Sequence, residues 1–199
     1  MIISFDSSDI NFYFSFQCPY SYLTWVKLCN NLKDVDNVKV KPINIGLNPP
    51  NKNFSYMEYW GGERWLRLAN EAKQLGIILN KPLEIVSEEH TARSVESYGP
   101  SNAEYYISTI FKAVFSNNLN IAITPTLRYF LQSEGNDSEV LVNACNDSNT
   151  LKTYNENLEL WTKKRIRTLP TIEFSNERLA GFITNIQIEY VLRSITDKL

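Results

Sequence analysis

One junction near the N-terminus constrains the fold more than any other feature. An apolar, aromatic run, Ile10-Asn11-Phe12-Tyr13-Phe14-Ser15-Phe16-Gln17, passes without a linker into Tyr20-Ser21-Tyr22-Leu23-Thr24-Trp25-Val26-Lys27-Leu28-Cys29. The first stretch reads as a buried strand over 10–17, the second as a helix that stays apolar until Asn30-Asn31. Cys18 and Pro19 stand between them. Proline is tolerated in the first turn of a helix, where its missing N–H costs nothing. The junction therefore places a thiol where a strand ends and a helix begins.

A second strand is expected over 38–47, with Val38, Val40, Ile43 and Ile45 as its apolar positions and Pro42 marking an edge or a bulge. Strand, helix and strand within 47 residues imply a βαβ unit with a right-handed crossover. The hydrophobic period then becomes helical. One helix is expected from Tyr56 to Leu75, stopped by Gly76, followed by a connector over 81–89. Further helices are expected over 102–117, 124–134, 138–146 and 148–165, with Thr124-Pro125 as cap and first turn. The end returns to α/β: a hairpin with strands at 171–174 and 178–182, then a helix from Thr184 to Asp197.

Length and charge narrow the function classes. A chain of 199 residues with 43% hydrophobic and 13% aromatic content suits one packed domain, with or without an insertion. A net charge of −2 lacks the basic face of a nucleic-acid binder. No run of 18 apolar residues predicts a membrane span. The first ten residues have neither the basic nor the apolar region of a secretory signal, so the expected location is cytoplasmic. Three cysteines, Cys18, Cys29 and Cys145, include no C-x-x-C pair, and His90 is the single histidine. This is neither a disulfide framework nor a recurrent set of metal ligands, and no metal is expected.

The stretches Cys18-Pro19-Tyr20-Ser21-Tyr22-Leu23, "PINIGLNPP" at 42–50, "IFKAVFSNNLNIA" at 110–122 and Leu169-Pro170-Thr171 before a strand together resemble the DsbA-like branch of the thioredoxin superfamily. Within it the chain is similar to the FrnE-type disulfide oxidoreductases. It is also similar to the 2-hydroxychromene-2-carboxylate isomerases and kappa-class glutathione transferases, whose motif is close to S-P-Y-S-Y-L. The resemblance implies an α/β thioredoxin-like fold over 1–47 and 166–199, interrupted by an all-helical insertion over 48–165. It implies that Cys18 takes the place of the catalytic cysteine or serine and that Ser21 occupies the second-cysteine position. It implies a cis bond at Pro170, and a substrate bound by Pro19, Tyr20, Leu169, Pro170 and Thr171. No cofactor is expected to be resident; glutathione is the co-substrate the resemblance implies, and a homodimer is the assembly common among relatives.

Three functions follow from this resemblance. One is monothiol exchange, isomerisation or deglutathionylation through Cys18, with a second thiol resolving the mixed disulfide. Another is a glutathione-dependent isomerase or transferase. The last is a non-catalytic adaptor that keeps the fold. Helix N-terminal N–H groups of Tyr20 and Ser21, with the Ser21 hydroxyl, are expected to lower the Cys18 pKa below ~8.5. Cys29, about three turns or ~16 Å further along the helix, is too distant to resolve Cys18 and reads as a small core residue, as does Cys145. Lys163-Lys164-Arg165 and Arg167 read either as cations at a helix C-terminus or as an anion patch. Tyr56, Tyr59, Trp60 and Trp65 read as helical core or as a cleft lining, and His90 as a surface residue. In the isomerase-like relatives an acid before the last helix holds glutathione; Ile183 falls there, with Thr184 and Asn185 as the neighbouring polar residues.

Overall fold

A computed structural model describes residues 9–33, 35, 38–47, 60–82, 84–98 and 103–196. Strand β1 (Asp9–Phe14) turns through 15–17 into α1 (Pro19–Leu32), and the chain returns as β2 (Lys39–Asn44), parallel to β1. After the helical stretch, β3 (Thr171–Phe174) pairs antiparallel with β1, and β4 (Glu177–Ala180) pairs antiparallel with β3. The sheet order is β2-β1-β3-β4. Pro42, which cannot donate to a ladder, lies on the edge strand β2 opposite Phe12.

The helices between β2 and β3 are α2 (Gly62–Gln74), α3 (Glu89–Tyr98), α4 (Ala103–Phe115), α5 (Thr124–Ser133), α6 (Glu139–Asn146), α7 (Ser148–Leu158) and the single-turn α8 (Leu160–Lys163). Helix α9 (Asn185–Thr196) follows β4. The architecture is a sheet of order β2-β1-β3-β4 interrupted between β2 and β3 by helices, the thioredoxin-like arrangement that the resemblance implies. Among the described residues no helix is long and apolar enough to cross a membrane.

The two faces of β1 have different duties. Ile10, Phe12 and Phe14 enter the main core, with Trp25 and Leu28 of α1, Phe111 of α4 and Ile188 and Val191 of α9. Phe12 and Phe14 stack at 5.3 Å, and Tyr22 stacks on Phe111 at 5.2 Å. Alternation sends Tyr13 to the other face, where it packs with Cys18, Ile43, Ile45, Ile166 and Leu169. The main core thus fixes α1 on the sheet, while the smaller cluster holds the sulfur.

Several elements differ from the sequence reading. Strand β1 stops at Phe14, β2 spans 39–44, β4 spans 177–180, and α9 runs from 185 to 196. Helix α2 begins at Gly62; Tyr56 and Tyr59 lie outside the described residues. The long helix over 148–165 is two, broken at Glu159, because Trp161 turns in to donate Nε1–H to the Ile45 carbonyl at 2.7 Å. Ile123, not Thr124, caps α5. Helix α3 was not expected at all. It buries Thr91, Arg93 and Ser94 beside Ala92 and Val95, so it has no apolar stripe to read. Its polar groups are satisfied internally: Ser94 donates to the His90 carbonyl, and Arg93 donates to the carbonyls of Cys145 and Asp147. His90 itself is half-buried, with Nδ1 3.1 Å from Thr124 Oγ1, rather than free on the surface.

Candidate active site

The turn before Cys18 is built by Ser15. Its Oγ accepts from Gln17 N–H at 3.0 Å, and its carbonyl accepts from Cys18 N–H at 3.1 Å. Cys18 is then extended (φ −102°, ψ 111°) as the N-cap of α1, and Pro19 opens the helix. The sulfur lies beside the first turn of α1 and makes no well-formed capping hydrogen bond to it. The thiol donates to the carbonyl of Leu169, with Sγ and O 3.7 Å apart. The Leu169–Pro170 peptide bond is cis. Pro170 is fixed in turn by Gly181 N–H, which donates to its carbonyl at 2.8 Å, and Thr171 by its hydroxyl, which donates to the Thr168 carbonyl at 2.8 Å. The β1–α1 junction and the start of β3 therefore meet at one sulfur, although 151 residues separate Cys18 from Leu169.

Ser21 lies one helical turn beyond the thiol and is fully buried. Its Oγ has no nitrogen or oxygen partner. The group it reaches is the Cys18 sulfur, which the N–H groups of Ser21 and Tyr20 also favour as thiolate. These contacts pull the pKa down, as a helix N-terminus does, but they lose to burial. Cys18 is 2% exposed, and desolvation pushes its pKa up to about 11. Glu88 adds a smaller upward push. The expected value below ~8.5 is corrected on this point: the resting sulfur is a thiol because water does not reach it.

Tyr20 is half-buried and packs edge-on against Trp60 at 5.1 Å and Phe182 at 5.8 Å. Trp60 thus stands next to the motif as well as in the cluster of Leu23, Leu68 and Ala72. Trp65 packs at the edge of that cluster. Lys164 is paired with the partly buried Glu173 at 2.9 Å, whereas the Lys163–Glu159 pair at 2.5 Å is solvent-exposed and leaves the Lys163 ammonium at the surface. Ile183 is buried, and its carbonyl accepts from Lys27 Nζ at 2.7 Å. Thr184 is held in a reciprocal cap with Gln187, so its hydroxyl is already used. Cys29 and Cys145 are partly buried at the edge of the main core, and all three cysteines are free. Among the described residues no group of His, Cys, Asp or Glu could hold a metal ion.

Glu88 was missed in the sequence, where it stands in an apparent connector. It is buried beside the Cys18 turn and accepts hydrogen bonds from both Ser15 and Phe16. Its only sequence signal is a position just before a helix, where an acid is ordinary.

Comparison with known proteins agrees with this geometry. No curated protein matches the chain in sequence. Among solved structures, a 2-hydroxychromene-2-carboxylate isomerase superposes with a TM-score of 0.72 at 18% identity, over 96% of this chain and 95% of that one. The cytosolic disulfide reductase DsbM from Pseudomonas aeruginosa, solved with GSH, gives 0.65 at 15% identity, over 96% and 98%. Reduced DsbA1 from Neisseria meningitidis gives 0.61 at 12% identity, over 100% and 87%. At such identities the likeness is one of fold. The model of the DSBA-like thioredoxin domain matches residues 9–192, almost the whole chain, and the protein belongs to that family.

Proposed function

We propose that the protein is a thiol–disulfide oxidoreductase that works through one sulfur, that of Cys18. The family to which it belongs is generally one of oxidoreductases or isomerases. The observation that carries the finer reading is the placement of Cys18 Sγ between the first turn of α1 and the Leu169 carbonyl, with Ser21 where a second cysteine would stand.

In this reading a disulfide substrate parts Cys18 from Leu169, since a sulfur 2% exposed cannot be attacked or attack where it rests. Once wetted, the thiol loses its desolvation penalty, and the Tyr20 and Ser21 donors then favour the thiolate. The thiolate attacks one sulfur of the substrate disulfide. A new S–S bond forms, the old one breaks, and the leaving thiolate takes up a proton. The Leu169 carbonyl, released from the thiol, becomes an acceptor for a substrate N–H. Pro170 and Thr171 flank the bound substrate on one side, Pro19 and Tyr20 on the other. A second thiol, with glutathione as the first candidate, attacks the mixed disulfide and frees Cys18. No neighbouring cysteine can do this, because position 21 is serine.

The test is exchange with a peptide–glutathione mixed disulfide. Cys18→Ser is expected to abolish it, while Cys29→Ser and Cys145→Ser leave it intact. Undiminished exchange in Cys18→Ser would end this reading. A second reading, a glutathione-dependent isomerase in which Cys18 replaces a serine, is favoured by the likeness to the 2-hydroxychromene-2-carboxylate isomerase. It requires saturable glutathione binding that Cys18→Ala alters. If Cys18 neither exchanges nor supports glutathione binding, the remaining reading is a non-catalytic adaptor.

A further inference from the structure

Glu88 enters from the insertion, just ahead of α3, yet its side chain reaches the end of the sheet that presents Cys18. It is 5% exposed, and its carboxylate accepts four hydrogen bonds. Oε1 accepts from Ser15 Oγ at 2.7 Å and Leu47 N–H at 3.1 Å. Oε2 accepts from Phe16 N–H at 2.6 Å and Asn44 Nδ2 at 2.9 Å. Two donors belong to the turn that leads into Cys18, and two to the segment leaving β2. All four are neutral. A buried carboxylate among neutral donors keeps its charge only through those bonds, and each is stronger for being made to a charge.

The Glu88 main chain also opens its own helix region, since its backbone carbonyl accepts from Thr91 Oγ1 and Ala92 N–H, both at 2.8 Å. The backbone is therefore anchored in the insertion while the side chain is anchored in the sheet. Ser15 completes the path to the thiol: it donates its hydroxyl to Glu88 and accepts the Cys18 N–H at its carbonyl. Among the described residues, Cys18 at the start of α1 and Tyr154 on α7 feel the charge of Glu88. Burial raises the pKa of Glu88, and its bonds to Asn44, Ser15, Phe16 and Leu47 oppose that rise.

We propose that Glu88 is a positioning residue for Cys18, a charged clamp by which the helical insertion holds the 15–17 turn against the 44–47 segment and so governs the reactivity of the thiol. The inference rests on Cys18 as the reacting group, and its test needs no turnover. The full chain is labelled with ¹³C at the cysteine Cβ, and the Cys18 resonance is titrated in the wild type, Glu88→Gln and Glu88→Asp. Amide exchange at Phe16 and Leu47 is followed in the same proteins.

Glu88→Gln removes the charge, so the Phe16 and Leu47 amides are expected to exchange about tenfold faster. The Cys18 midpoint is expected to move to lower pH, while those of Cys29 and Cys145 stay in place. Glu88→Asp keeps the charge and is expected to hold the Cys18 midpoint near the wild-type value. A folded Glu88→Gln protein with an unmoved Cys18 midpoint overturns the proposal. So does an Asp variant displaced as far as the Gln variant, which would reduce Glu88 to packing. Should Glu88→Gln fail to fold, Ser15→Ala cuts the same path: displacement of the Cys18 midpoint alone supports the clamp, and no displacement overturns it. Absence of mixed-disulfide exchange in the wild type, with the Glu88→Gln displacement as expected, would count against the proposed function and leave the clamp standing.

Discussion

Lys27 and Glu71 form an ion pair at 2.5 Å in which the lysine side chain is 1% exposed and the glutamate 22%. The same ammonium donates to the Ile183 carbonyl and lies 4.8 Å from the centre of the Phe182 ring. One buried charge therefore ties α1 to α2 and to the loop before α9. Removing Glu71 leaves the cation buried with a carbonyl and a ring but no counter-charge. Glu71→Leu is expected to cost about 3 kcal/mol in denaturant unfolding. The Lys27→Met/Glu71→Leu double variant is expected to be more stable than Glu71→Leu, because the stranded charge goes with its partner. A double variant no better than the single would show that Lys27 is held well enough by Ile183 and Phe182.

The burial of Cys18 sets a pH signature. Its folded pKa lies near 11, above the ordinary thiol value of 9.0. Well below pH 9 the thiol is neutral in both folded and unfolded chains, so burial carries no ionisation penalty. Between about 9 and 11 the unfolded chain ionises first, and folding stability falls. The fall should be shallower in Cys18→Ala. Alkylation of Cys18 in the native protein, read by peptide mass spectrometry, should still be rising at pH 9. A plateau reached by pH 8 would mean that the sulfur is far better solvated than its surroundings indicate.

Ser21 separates ionisation from folding. Its hydroxyl reaches the Cys18 sulfur and has no nitrogen or oxygen partner. Ser21→Ala should raise the Cys18 midpoint further while leaving the unfolding curve within about 1 kcal/mol. Ser21→Cys restores a resolving thiol one turn from Cys18. It should form an intramolecular disulfide and release the Cys18 mixed disulfide without added thiol. Mass spectrometry of the trapped adduct decides the second point: persistence of the adduct in Ser21→Cys would refute it.

Glu173 governs the acid limb. Partial burial on its own would raise its pKa, but hydrogen bonds from Arg178, Tyr13 and Lys164 outweigh this and hold it at about 2. A depressed carboxylate stabilises the fold above its unfolded value of 4.5, and that contribution is lost as pH falls toward 2. Glu173→Gln should be less stable at neutral pH and should lose less on going from pH 5 to pH 2. Parallel acid curves for the two proteins would show that other carboxylates carry the transition.

The parts of the chain that announce themselves are those whose apolar residues do the work. The passage from Phe14 to Tyr22 is legible because strand alternation gives way to a helical apolar face, and the hairpin of β3 and β4 because the polar turn residues Ser175 and Asn176 divide Thr171–Phe174 from the returning strand. Helix α3 is silent for the opposite reason: Thr91, Arg93 and Ser94 are buried by hydrogen bonding, which leaves no period. Glu88 is silent because its partners lie 73 positions away at Ser15 and 44 away at Asn44, a distance no local pattern spans. The state of Cys18 follows from a contest between helix donors and desolvation. The donors are written in the motif, whereas the burial is supplied by residues scattered along the chain, Tyr13, Ile43, Ile45, Ile166 and Leu169.

The enclosure of the Cys18 sulfur also bears on its survival. Peroxides oxidise thiolates, stepping them to sulfenic acid and then to sulfinic and sulfonic acids that ordinary thiols cannot reverse. A dithiol site escapes by closing its own disulfide at the first step. This chain has serine where that partner would be, so a sulfenic acid at Cys18 has no neighbour to trap it. A sulfur kept protonated and 2% exposed offers small oxidants neither a thiolate nor an approach. In the proposed monothiol reading, reactivity is thereby reserved for substrates that bind well enough to part Cys18 from Leu169, and chemical selectivity arises from access where other sites obtain it from acidity.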